Sequence, residues 1–123
     1  LGATKTAEMS VCSIPAGVLI HRAVMIERTA ATGTGITTLT GSLGFDATDY
    51  NDVLLAADLM ATAGTKYGEV AAELGAAFVD YLGVPSAATA RELKMQVINT
   101  GVGNLSAVLT STGSIYLLPS YVG

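Results

Sequence analysis

The chain has no tryptophan, one cysteine (Cys12) and one histidine (His21) among its 123 residues. A lone cysteine excludes an internal disulfide and any CxxC zinc motif. It suits folding in a reducing cytoplasm, with Cys12 expected as a small buried hydrophobe. A zinc centre needs three or four nitrogen or sulfur ligands, more than these two residues supply. Any Ser-His-Asp or Cys-His relay would have to pass through His21. That residue stands beside Arg22 in an apolar stretch, the setting of a structural or interface histidine. We therefore expect no enzyme: no catalytic residue, no metal site and no cofactor.

Charge is equally scarce. Only 13% of residues are Asp, Glu, Lys or Arg, about half the usual share of about 25%. The net charge is −4, and Lys5, Arg22, Arg28, Lys66, Arg91 and Lys94 are scattered, so no basic run points to direct nucleic-acid binding. No apolar run approaches the ~20 residues that span a bilayer. Leu1–Thr6 shows neither the charged and apolar regions nor the cleavage site of a secretory leader. Neither membrane nor secretion is expected. Aromatics are 6% of the chain: Phe45, Tyr50, Tyr67, Phe78, Tyr81, Tyr116 and Tyr121 are the residues from which a glycan platform could be built.

What remains is aliphatic and small. Half the residues are hydrophobic, carried by Ala, Val, Leu and Ile, beside 14 Gly and 15 Thr. The length suits one domain, whose folding would bury roughly two-thirds of the chain's surface. So few charges leave Ala, Thr and Gly surface that tends to associate, and a dimer or trimer is expected.

Residues 1–17, closed by Pro15-Ala-Gly17, read as an extended N-terminal arm with room for a short strand over 7–13, ahead of one domain over 18–123. Residues 18–29 are rich in β-branched types, and the even positions Val18, Ile20, Val24 and Ile26 form an apolar series that Arg22 interrupts. That pattern predicts a long strand, with Arg22 near an edge or a contact. Ala31–Phe45, "ATGTGITTLTGSLGF", raises the question of a phosphate loop. Its Gly33-x-Gly35 has Thr38 where the third glycine belongs, no Lys-Ser or Lys-Thr pair follows, and β-formers replace the helix. It reads as a connection, a strand over 36–43 and a bend at Gly41–Gly44.

Residues 53–60 carry helix formers and predict one short helix, while 69–82 fit either a helix or strand pairs. In 92–98, Leu93, Met95 and Val97 alternate with Glu92, Lys94 and Gln96, a strand with one wet face. Ser111–Gly113 reads as a turn before a last strand over 114–118, and Pro119 demands an edge or a bulge. Short strands separated by turns predict an all-β fold, a single-domain, jelly-roll-like antiparallel β-sandwich with at most that one helix. Asp46, Asp49, Asn51, Asp52 and Asp58 concentrate oxygen ligands, but "DATDYNDVLLAAD" lacks the Gly and Glu of a calcium loop. They read as solvated loop carboxylates, one of them capping the helix near residue 52.

Two segments, "GVLIHRAVMIERTAATGTGITTLTGSLG" and "RELKMQVINTGVGNLSAVLTSTGSIYLLPSYV", together with the charge-poor composition, resemble the capsid decoration (cement, head-stabilising) proteins of tailed bacteriophages. The resemblance implies a non-enzymatic virion protein, made in the host bacterial cytoplasm. It would bind the outer capsid surface as a dimer or trimer, with the major capsid protein as partner. Bridging of neighbouring subunits would then resist the pressure of packaged DNA. The alternatives are a head-fibre, tail or spike subunit on the same sandwich, or a receptor- or glycan-binding β-module.

Overall fold

Alternating apolar and polar residues become seven β-strands in the computed structural model, which describes residues 5–45, 50–78, 83–101, 103–105 and 108–121. They are β1 (Thr6–Ile14), β2 (Val18–Gly33), β3 (Leu39–Gly44), β4 (Leu54–Asp58), β5 (Lys66–Tyr67), β6 (Arg91–Asn99) and β7 (Val108–Tyr121). One sheet has the order β1-β6-β3-β4 and the other β5-β2-β7, with every pairing antiparallel. The expected all-β sandwich is what the chain forms. Strands expected at 18–29, 36–43, 92–98 and 114–118 all exist, and β2 and β7 run further than expected.

The core lies between the sheets. Ile20 and Met25 from one sheet meet Leu39, Leu43, Leu54 and Leu93 from the other in a single buried cluster. Aliphatic side chains of this size each contribute about 1.5–3 kcal/mol on full burial.

The inward face of β2 changes parity partway along. Pairing with β7 runs Ile20↔Pro119 and then Arg22↔Leu118, so His21 is an extra residue, a β-bulge. One inserted residue reverses which alternate positions face inward. Val18 and Ile20 are buried before it; Ala23, Met25 and Glu27 are buried after it. Arg22 therefore interrupts no apolar face, because the core face has moved to the odd positions. Pro119 sits on an edge strand opposite the residue before the bulge, where a missing N–H is tolerated.

Three local expectations are corrected. The helix over 53–60 is strand β4. Its buried residues Leu54 and Ala57 are three apart because β4 carries an extra residue between Gly41↔Ala57 and Leu43↔Leu54, which imitates helical spacing. Residues 69–78 are irregular around one 3-10 turn (Ala71–Glu73), with Leu74 bridging to Leu54. Ser111–Gly113 do not turn the chain but lie inside β7. At the N-terminus, Thr6–Ile14 pair along β6 as an edge strand, interrupted by a bulge between Ser10 and Cys12. The part of the expected arm that precedes Lys5 lies outside the described residues.

Candidate functional site

The two outer faces of the sandwich differ in chemistry. On the four-stranded sheet, the residues in register on the outer side include Thr6, Glu8 and Ser10 of β1, Glu92, Lys94, Gln96 and Ile98 of β6, and Thr40 and Ser42 of β3, and Leu55 of β4 is exposed. That is a mainly polar face. On the three-stranded sheet the outer positions are Arg22, Val24 and Ile26 of β2, Ser114, Tyr116 and Leu118 of β7, and Lys66 of β5. Tyr116 and Leu118 are 52% and 55% exposed, among the most exposed large hydrophobic residues described.

Cations frame this apolar strip. The bulge residue Arg28 reaches across it, donating from Nε to Ser114 Oγ at 3.1 Å and from Nη2 to Tyr116 Oη at 2.7 Å. Arg22 stands beside Leu118, and Lys66 beside Ile26. Three of the chain's six Lys and Arg thus lie on one face, with no carboxylate among its outward strand positions, although the whole chain carries −4. An aromatic anchor, exposed aliphatics and one arginine, Arg28, already held by hydrogen bonds make a protein-docking composition. Charge complementarity favours a partner surface rich in carboxylates.

The residues singled out for chemistry do not gather. His21 opens into a cleft of about 300 Å³ with Arg22, Glu69, Leu74 and Phe78. Cys12 is half-buried against the core, and burial pushes its thiol pKa up. Asp46 and Asp49 lie outside the described residues. Asp52 Oδ1 accepts the Phe45 N–H at 2.7 Å, closing the β3–β4 loop rather than capping a helix. Asp58 Oδ1 accepts the Met60 N–H at 2.9 Å in a side-chain turn. Among the described residues, no three His, Cys, Asp or Glu side chains sit together as a metal site.

The aromatic residues are also dispersed. The Phe45 ring lies under Arg91, 4.3 Å from its guanidinium carbon, and buried Tyr50 lies 5.4 Å from the Lys94 ammonium. Tyr67 donates to the Asp58 carbonyl at 3.1 Å. Tyr81 lies outside the described residues, and the Tyr121 side chain is not described.

The glycine-rich stretch is a structural clasp. Gly35 O accepts from Gly103 N at 2.9 Å and Thr38 O from Thr100 N at 3.2 Å, so the β2–β3 and β6–β7 connections bind each other. Lys5 Nζ donates to the carbonyls of Gly101 and Gly103, and buried Asn99 accepts the Gly101 N–H through Oδ1.

The apolar strip was not evident in the sequence, because the bulge at His21 decides that Val24 and Ile26 point outward. The available signal was the alternation of Tyr116 and Leu118 in the last strand. Compared with known proteins, the chain matches no family model, and no curated protein or solved structure is significantly similar to it.

Proposed function

We propose that this chain is a structural virion protein that binds the outer surface of a bacteriophage capsid and stabilises the head by bridging major capsid protein subunits. The observation that carries the reading is the asymmetry of the sandwich. One outer face is mainly polar, with Ile98 and Leu55 as its apolar members, and the other presents Tyr116, Leu118, Val24 and Ile26 within a frame of Arg22, Arg28 and Lys66. The resemblance of the first and last strand regions to capsid decoration proteins supports the same role.

Such a face needs no bound cofactor to act. Apolar contact under Tyr116 and Leu118 supplies most of the affinity, and the cations steer and orient the approach to an acidic surface. Repetition over a symmetric lattice sums many modest contacts, and binding to the intact lattice alone stabilises it in proportion to occupancy.

The test is pelleting of the purified protein with heads that lack it, followed by DNA release on heating. The release temperature is expected to rise with added protein, with and without chelator. Tyr116→Ala combined with Leu118→Ala is expected to weaken binding about tenfold, the effect of losing roughly 1.4 kcal/mol. Raised salt is expected to slow association more than it speeds dissociation. An unchanged release temperature at saturating occupancy rejects the cement role and favours a fibre, tail or receptor-binding subunit.

A further inference from the structure

A sandwich of two open sheets has four edge strands, and each is a template for unwanted pairing unless it is blunted. Three of the four are blunted here. The β4 edge is covered by the chain that follows β5: Leu74 bridges to Leu54, and Gly75 N donates to Val53 O at 2.9 Å. Strand β5 is two residues long and carries Lys66. Strand β1 carries Glu8 and a bulge between Ser10 and Cys12.

Strand β7 has none of these protections along most of its length. It is a 14-residue edge strand, VLTSTGSIYLLPSY, without a single Asp, Glu, Lys or Arg. Its run Thr112–Pro119 has no extra residue of its own, since the bulges at His21 and Arg28 both belong to β2. Among the described residues, its stretch Gly113–Pro119 pairs with β2 alone. Only Pro119, near its end, interrupts the outer row of donors.

We propose that β7 pairs antiparallel with β7 of a second copy, joining two three-stranded sheets into one continuous six-stranded sheet. Charge selects this arrangement over stacking of two faces. Face to face, Arg22, Arg28 and Lys66 of one copy would meet the same cations of the other. Edge to edge, the Arg22 residues sit on β2 strands three strand spacings apart, about 14 Å, beyond the Debye length of about 8 Å at physiological salt. Lys66 on β5 lies farther still, and only Arg28, held over β7 by Ser114 and Tyr116, comes nearer the seam. The meeting strands themselves carry no charged residue, and a two-fold pair is closed, leaving no further β7 edge for continued addition. The pairing also aligns two copies of the Tyr116 and Leu118 face on one side of the joined sheet.

The proposal concerns the chain in solution and stands apart from the capsid reading, so each can fail alone. The experiment is sedimentation equilibrium at tens of micromolar, with amide hydrogen exchange read residue by residue along 113–118. The expected mass is twice 12.4 kDa, with both alternating sets of β7 amides protected, those facing β2 and those facing away. Tyr116→Glu places two carboxylates close to the two-fold axis while leaving each beside its own Arg28, and it is expected to yield a folded monomer in which the outward set exchanges rapidly. Tyr116→Phe is expected to stay dimeric. A monomeric or trimeric wild type overturns the proposal. So does a dimer whose outward β7 amides exchange rapidly, or a folded Tyr116→Glu variant that remains dimeric. If Tyr116→Glu does not fold, the wild-type mass and exchange pattern decide alone.

Discussion

Gly68→Ala is expected to lower the free energy of unfolding by about 2–5 kcal/mol, the sum of about 1–2 for a left-handed backbone and about 1–3 for an overpacked site. Gly68 has φ +106°, and a Cβ there would lie 2.1 Å from the Ala23 carbonyl oxygen. The obstacle is the backbone of β2, which cannot rotate aside as a side chain can. Relief requires the segment after β5 to move off β2, straining the Gly68 N–H donated to Glu73 Oε1 at 2.9 Å. Gly64 provides the matched control. It has φ +95°, but a Cβ there would meet nothing within 4 Å, so Gly64→Ala is expected to cost only the conformational part, about 1–2 kcal/mol. Urea unfolding of the two variants side by side separates strain from collision. Equal losses would show that close approach to Ala23 contributes nothing.

Much of the strand content was legible because it follows from local alternation. Leu93, Met95 and Val97 against Glu92, Lys94 and Gln96 describe β6 without reference to any other segment. Bulges were not legible, since an extra residue is defined only against the partner strand. The one at His21 turned the even apolar series of β2 outward beyond Ile20. The one in β4 gave Leu54 and Ala57 a spacing of three and made a strand look like a helix.

The candidate site depended on the same non-local facts. Arg22 stood out as the charged residue of an apolar run, but Lys66 joins it on one face only through pairing with Ile26. Arg28 acquires its place by bonding Ser114 and Tyr116 across the sheet. The segment at 31–45 was readable as something other than a phosphate loop, because its missing third glycine and its β-formers are local. Its grip on the Thr100–Gly103 loop was not.

Glu27 makes the fold's stability depend on pH in the direction opposite to ordinary acid unfolding. The parity change in β2 turns this side chain inward, where it is 2% exposed and its Oε1 has no hydrogen-bond partner. Burial raises its pKa above the ordinary 4.5, and the nearby Asp58 carboxylate raises it further. Tyr67 shares this environment, with its own pKa raised by burial. A carboxyl whose folded pKa exceeds its unfolded one binds more protons in the native state. Its favourable contribution is complete below pH 4.5 and is lost as pH rises through the folded pKa. Above that value, the native state carries an unpaired buried charge or opens to hydrate it. Glu27→Gln keeps the shape and removes the charge, so it is expected to stabilise the protein by about 1–3 kcal/mol at pH 7.5, the usual cost of an unsatisfied buried polar group. The difference should shrink steadily as pH falls toward 4.5. Carboxylates remote from this site contribute equally to both proteins, so subtracting the two stability curves from pH 4 to 8 isolates Glu27 together with its interaction with Asp58. A difference that stays constant across that range would mean that Glu27 does not change its charge in the folded state, and that the gain came from packing alone.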